Sequence, residues 1–471
     1  MAARIILIIS MYPVLPIMYF LLKNEVKPKK NIVLGVTLPY SKIYDKRVDG
    51  LLAAYKRELN IISLVLLLIP ILVFFIPWFS IYYTIMIIWI LLVILLPYIP
   101  YIKYHLRMEI IKGEAISTKG TLEEKTENIN KYEASEKALE EVTALMKSEK
   151  RVNQLWFLPP VILSFFPLIY EGFVSTHKED YILILLGCGS FTLITLLGAL
   201  FQNVINKQKA EIVDEDRNIN AMINRIRRKC WWKFWLSMTW LSGIFTVAFW
   251  MFLTGKIPYF FGLIFTLIYS AVILYIAMRA EFTARYVQQK LSKESTRPLY
   301  LDEDDHWIYG LFYYNPDDKK IIVNDRVGIG TTMNLAHKIG KIVMVIAIVC
   351  ILALPVSGVY VIKEEFTPVT IELFDNRIIV THTAEELDFP TNDIKSVEIV
   401  DNLPSTVKVV GTNMENILKG TFRVEGYGKC RLCLNPKQPP FLVMLTDEET
   451  IIINGNHSII EKMKEKNLLN R

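Results

Sequence analysis

Four short clusters carry the side chains in this chain that are capable of chemistry. Asp302-Glu303-Asp304-Asp305-His306 gathers four carboxylates and an imidazole, donors suited to a hard divalent cation. Its spacing is not that of a calcium loop, and an acidic run facing water is the more frequent explanation. Cys430-x-x-Cys433 has redox or zinc spacing, but residues three apart in a strand point to opposite faces. Zinc would also need two more ligands, and only the isolated His382 and His457 are available. Gly328-x-Gly330 lacks both the third glycine of a dinucleotide fingerprint and the Gly-Lys-Ser/Thr of a P-loop. Arg225, Arg227, Arg228 and Lys229, followed by Trp231 and Trp232, have the composition of an interfacial anchor for anionic lipid. No His-Glu-x-x-His, Gly-x-Ser-x-Gly or acid pair within an apolar run is present. The expectation is a protein with no catalytic residues, cofactor, metal site or nucleic-acid partner.

The elements that would position these clusters are set by hydropathy. Of 471 residues, 52% are hydrophobic, and the mean hydropathy is +0.33. The apolar residues fall in runs of roughly 20, enough to cross a bilayer as helix. Eight spans are expected. The first covers Ile5–Leu22, a retained anchor rather than a cleaved signal, because Lys23, Lys27, Lys29 and Lys30 follow it with no small-residue cleavage site. Between Glu58 and Lys103 no residue is charged. That stretch, about 66 Å as helix, fits two crossings turning near Pro77-Trp78-Phe79-Ser80. The others are Leu155–Tyr170, broken by three prolines, then Tyr181–Phe201, Trp235–Leu253, Tyr259–Met278 and Ile342–Ile362. Backbone satisfaction in lipid makes them helices.

Lys and Arg set the orientation. Segments 23–58, 103–153, 203–233 and 279–341 hold nine, ten, eight and ten, whereas the opposing segments hold only Arg4, Lys178 and Lys256. The positive-inside bias therefore places those four segments in the cytoplasm, with the N-terminus and the C-terminal tail outside. The layout is a membrane region over 1–102, a helical segment over 103–153, central spans over 154–278, a motif-bearing segment over 279–341, a last span over 342–362 and an outer domain over 363–471. Within 119–151, Thr121 and Glu124 have capping-box spacing for a solvated helix.

The tail changes period. Strand patterns start at Thr370, Arg377, Ile394, Thr421, Lys429, Phe441 and Thr450, with a final helix over His457–Leu469 presenting Ile459, Ile460 and Met463 on one face. About seven strands closed by a helix describe a small antiparallel β-roll. The fold class is thus a polytopic α-helical membrane protein with a C-terminal β-roll.

Three stretches carry a family resemblance. Leu34-Gly-Val-Thr-Leu-Pro39, with Ala54-Tyr55-Lys-Arg leading into a second span, resembles multi-span proteins of Gram-positive bacteria related to the sporulation-delay toxin immunity protein. The Pro-x-His motif of that group is missing here. Tyr309-Gly310-Leu311-Phe312-Tyr313-Tyr314-Asn315-Pro316, with Arg326-Val-Gly-Ile-Gly330 and Asn334, looks like a short domain of unknown function found with them. The tail resembles a bacterial pleckstrin-homology-like domain through Pro390-Thr-Asn-Asp-Ile-Lys-Ser-Val-Glu, Lys419-Gly-Thr-Phe-Arg-Val-Glu-Gly-Tyr-Gly-Lys429 and Pro439-Pro-Phe. The resemblance implies a bacterial plasma-membrane protein. The residues lead to a non-enzymatic role in which the bilayer and an extracytoplasmic protein or peptide are the partners, with Gly310–Pro316 as an interaction motif. Toxin immunity and envelope-stress sensing are the roles in view, the alternative being a permease for a small or amphiphilic solute. Oligomeric state is not legible.

Overall fold

The computed structural model of the chain describes residues 2–29, 31–38, 42–117, 141, 142, 144, 145, 153–174, 178–205, 208–212, 214, 216–294, 302–328 and 330–465. The chain forms two compact units, one from 1–16, 62–96 and 346–471, the other from 17–61 and 97–345. All but four residues of the helix expected over 119–151 lie outside the described residues.

Seven helical stretches among the described residues are long and apolar enough to cross a membrane: Leu7–Asn24, Phe79–Glu114, Gln154–Val174, Ile184–Gln202, Arg217–Leu253, Ile264–Gln288 and Lys338–Phe366. The expected eighth is the end of α3, Lys46–Val73, in which 59–73 is uncharged but shorter than a full crossing. The turn over 74–78 falls where the sequence placed it, and α4, Phe79–Leu95, starts directly after. The first apolar run is not one rod. It divides into α1, Ala2–Met11, and α2, Val14–Asn24, because Pro13 has no N–H to continue the ladder.

In the second unit, α5 is Tyr98–Ser117, and α6, Leu158–Val174, α7, Lys178–Ile205, and α9, Tyr259–Glu294, pack around α8, Arg217–Leu253. Polar side chains in this bundle serve packing. Thr192 Oγ1 donates to the Ser164 carbonyl of α6 at 2.8 Å and to its own Cys188 carbonyl at 3.0 Å. A Cβ on Gly243 would run into the Pro160 carbonyl, so α6 and α8 meet at backbone distance. Basic Arg225–Lys229 sit on α8 itself, in helix continuous with the span rather than in a connecting segment. Short hairpins decorate this unit: β1 and β2 (Ile32–Val33, Val36–Thr37), β3 and β4 (Trp307–Ile308, Phe312–Tyr313), β5 and β6 (Ile322–Asn324, Thr331–Met333).

The last of the seven apolar stretches, α10, is Lys338–Phe366. Beyond it, β7 (Thr370–Leu373), β8 (Arg377–His382) and β9 (Glu385–Pro390) form one antiparallel sheet. Six strands form the other: β10 (Ser396–Val400), β11 (Thr406–Asn413), β12 (Leu418–Val424), β13 (Gly428–Leu434), β14 (Phe441–Leu445) and β15 (Thr450–Asn454). Their order is β10-β14-β15-β13-β12-β11. Nine strands thus stand where about seven were expected, β9 and β11 being the additions. The sheet is antiparallel apart from β13 and β15, which run parallel because β15 inserts between β13 and β14. Uninterrupted apolar runs in β14 and β15 mark central strands covered on both faces. α11, His457–Glu465, closes one core with Ile459 and Met463, as its periodicity indicated.

Phe422 of β12 is fully buried in the second core of this domain. Phe422→Ala should cost about 3–5 kcal/mol. The check is amide exchange across residues 418–454, which should accelerate while exchange in α8 stays unchanged.

Candidate functional site

Two polar assemblies, one in each unit, bring together residues far apart in sequence. In the second unit the centre is Asp304. Its carboxylate accepts from the Thr37 N–H at 2.9 Å and the Thr37 hydroxyl at 2.6 Å. It also pairs with Lys112 at 2.6 Å and with Arg326. Asp302 shares Lys112 at 2.5 Å, while Glu303 and Asp318 flank Lys209 at 2.9 and 3.1 Å. Three carboxylates of the acidic run, those of Asp302, Glu303 and Asp304, are thus engaged by protein cations, while Asp305 is exposed. Burial opposes the charge on Asp304, but Arg326, Lys112 and Thr37 outweigh it and hold the carboxyl at about 2.

Around this centre, the tips of two hairpins touch. Gly35 and Gly310 both have positive φ, and a Cβ on Gly310 would lie 2.9 Å from the Tyr101 hydroxyl and 3.0 Å from the Gly35 Cα. Tyr101 donates to the Leu34 and Tyr309 carbonyls, at 3.1 and 3.2 Å. The turn after Tyr314 is stitched by the buried Asn334, whose Oδ1 accepts from Asn315 and Ala336 N–H and whose Nδ2 donates to the Asn315 carbonyl. The glycine loop beyond is strapped by Glu25, which accepts from Gly328 N–H at 3.0 Å, by Lys29 on the Arg326 carbonyl and by Arg285 on the Gly328 carbonyl. Asp325 lies beside these groups. Burial pushes its carboxyl up to about 7, with Lys29 and Arg227 opposing and Glu25 and Glu281 adding to the rise.

In the first unit, the assembly is built on the amino end of α4. Trp78 offers no side-chain cap. The exposed N–H groups are instead taken by two carboxylates remote in sequence, Glu415 accepting from Phe79 and Glu365 from Ser80, each at 2.9 Å. Arg4 ties the same region, pairing with Glu415 at 2.9 Å and donating to the Pro77 carbonyl. Glu364, next to Glu365, pairs with Lys419 of β12 and accepts from the Thr383 hydroxyl at 2.8 Å. Beside Glu415 opens a cleft of about 570 Å³. Leu418 and Phe441 are at its base, with Leu403, Met414, Pro436 and Pro439 among its apolar walls; Asp401 and Glu415 are the charged residues lining it.

The sequence-level candidates distribute as follows. Gly310 and Tyr313 turn inward, Leu311 and Asn315 are half-buried, and Phe312, Tyr314 and Pro316 are exposed. The Gly310–Pro316 block is thus one hairpin face packed on the Asp304 assembly and one facing out. Of the basic cluster, Arg227 is committed to Glu211 at 2.9 Å, Arg225 and Lys229 are exposed, and Arg228, Trp231 and Trp232 are half-buried. Cys430 and Cys433 point into different cores of the β domain, and burial pushes their thiols up to about 11 and about 12.

Two family models match parts of the chain. Residues 369–466 match a bacterial PH domain. Residues 316–341 match a family of unknown function, DUF5808, which takes in Asp318, Arg326 and Asn334 of the second-unit assembly. No curated protein and no solved structure matches the chain. The chain thus joins seven helical stretches, among the described residues, long and apolar enough to cross a membrane to a PH-like C-terminal domain.

Sequence reasoning did not single out Glu365, Glu415, Thr37 or Lys112. The one available signal was the bare Ile-Pro-Trp entry to α4, a helix start with no acceptor of its own.

The two aspartates give opposite pH responses. Asp304, held below its usual 3.8, contributes stability above about pH 4 that fades as pH falls towards 2. Asp325, raised, contributes stability that is full below about pH 4 and is lost as pH rises through 7. At pH 8 Asp325→Asn should stabilise the loop over 321–334 by a few kcal/mol, with little change at pH 4. Asp304→Asn should cost about 3–5 kcal/mol at pH 7 by stranding Arg326. Amide exchange in 302–334 reads both.

Proposed function

We propose that this is a non-enzymatic, multi-pass plasma-membrane protein that displays its PH-like domain outside the cell as a recognition module. Ligand capture would be coupled to the membrane helices through α4. The observation that carries this reading is the capping of α4 by Glu365 and Glu415. The carboxylate of Glu415 lines the cleft of the PH-like domain and also accepts the first N–H of an apolar helix. A domain merely tethered by α10 would need no such contact.

Eight crossings, counting the end of α3, are the topology consistent with the lysine and arginine distribution. Further support comes from the company each segment keeps. Segments rich in Lys and Arg meet one another at Asp304, Lys209 and Gly328. Arg4, the α3–α4 turn and the tail meet at Glu415. The ligand would be a protein, peptide or envelope component, and the biological setting toxin self-protection or envelope-stress sensing. The permease alternative has less support, since the buried hydroxyls Thr192, Thr239 and Thr246 bond to helix carbonyls.

Orientation is tested by cysteine labelling after replacement of the five native cysteines. Asn402→Cys should react with a membrane-impermeant maleimide in intact cells, and Asp317→Cys only after permeabilisation. The reverse pattern would overturn the outward display. Removal of residues 367–471 should alter sensitivity to membrane-active peptides or the envelope-stress response, and unchanged phenotypes in both would argue against a recognition role.

A further inference from the structure

We infer that the 570 Å³ cleft of the PH-like domain is a binding site for a short basic, amphiphilic peptide segment in extended form. This deepens the recognition reading above and rests on it for the setting, though not for the chemistry.

The argument begins with what lines the cleft. Its volume is within the range of small-ligand sites, about 300–1,000 Å³. Its base reaches into the domain core at Leu418 and Phe441, both otherwise buried. Met414, Leu403 and the prolines 404, 436 and 439 add apolar wall. An apolar base of this kind rewards an aliphatic or aromatic side chain with the hydrophobic gain of leaving water, about 25 cal/mol per Å².

The polar groups point to the class of ligand. Asn402, Asn413, Ser405 and Thr406 supply amides and hydroxyls, which both donate and accept and so match the alternating N–H and C=O of an extended peptide. The charged residues of the lining are Asp401 and Glu415, and no Lys or Arg lines the cleft. Glu415 already serves Arg4 and the Phe79 N–H. Asp401 is exposed and has no ion-pair partner among the described residues. A carboxylate left open over an apolar base favours a ligand with a cation next to a hydrophobe.

The wider field has the same sign. Residues 369–466 contain 15 Asp and Glu against 11 Lys and Arg, a formal charge of −4 in a chain that is +6 overall. An acidic module in a basic chain attracts a cationic partner and raises its rate of encounter. An anionic headgroup, by contrast, would meet two carboxylates and no cation.

The test uses the full chain in zwitterionic phosphatidylcholine nanodiscs, where both faces are accessible and a basic peptide has little affinity for the lipid. Fluorescein-labelled Lys-Leu-Lys-Phe-Lys and its Glu-Leu-Glu-Phe-Glu counterpart are titrated by anisotropy. The basic peptide should bind saturably and weaken with salt, and the acidic one should bind at least tenfold more weakly. Asp401→Lys should weaken the basic peptide at least tenfold. Ser405→Trp, which fills the cleft mouth from an exposed loop, should do the same. Amide exchange of the β domain confirms that both variants fold. Equal binding of the two peptides, or basic-peptide affinity unmoved in either folded variant, would overturn the proposal. Because the discs present both faces, a failure here is separable from a failure of outward display: inward-labelled Asn402→Cys with intact peptide binding sinks only the orientation, and the converse sinks only the cleft.

Discussion

A helix that begins at the edge of an apolar slab has four N–H groups with no partner in its own backbone, and this constraint governs the first unit. α4 enters from Ile76-Pro77-Trp78, none of which offers a side-chain acceptor. Two carboxylates from far along the chain fill the gap, Glu365 from the end of the last span and Glu415 from the β11–β12 turn. Hydrogen bonds to charged groups contribute about 1.5–3 kcal/mol each, and the positive end of the helix dipole adds to the attraction. The arrangement works only while both carboxylates are in register. Glu365 is 1% exposed, and its second oxygen has no hydrogen-bond partner among the described residues, so a shift there leaves both the charge and the helix end unsatisfied.

The second unit solves a related problem with the same means. Its short hairpins are too small to hold themselves, since a two-stranded ribbon is marginal in water. Asp304 and Asn334 supply what the ladders lack, one by collecting cations and a threonine, the other by bonding to backbone groups on both sides of a turn. Asp325 sets a limit on this strategy. Three acidic groups, Glu25, Glu281 and Asp325, crowd around Lys29 and Arg285, and burial makes it cheaper for Asp325 to keep a proton.

Features governed by local periodicity were legible in sequence, and features governed by distant charge were not. The positions of the long apolar helices, the turn near Trp78, β14 and β15 as continuous apolar strands, and the Ile459 and Met463 face all follow from runs of neighbours. β9 was missed although Leu387 and Phe389 alternate, because Glu385, Glu386 and Asp388 dilute the pattern. β11 was missed because an edge strand with exposed Val407, Val409 and Val410 has no buried face to show. The break at Pro13 was in plain view, but a proline in an apolar run does not say whether it kinks a helix or ends it. The acidic run at 302–306 shows the opposite failure. Read locally it faces water or a cation, but Thr37, Lys112 and Lys209 come from three other segments and Arg326 from 20 residues further on, and no short window of sequence contains them together.

The sharing of Glu415 between the cleft and α4 has a thermodynamic consequence. Its oxygens are divided between Arg4 and the Phe79 N–H, so a cation arriving in the cleft draws on a carboxylate already committed. In the proposed complex, any strength a ligand gained at Glu415 would come partly from weakening the cap or the Arg4 pair, and by linkage the state of α4 would alter ligand affinity to the same extent. Coupling energies of this type are about 1–3 kcal/mol, close to what one charge-assisted hydrogen bond contributes. Under the proposed peptide capture, a single shared carboxylate would let α4 register the occupancy of a domain that follows it by more than 260 residues.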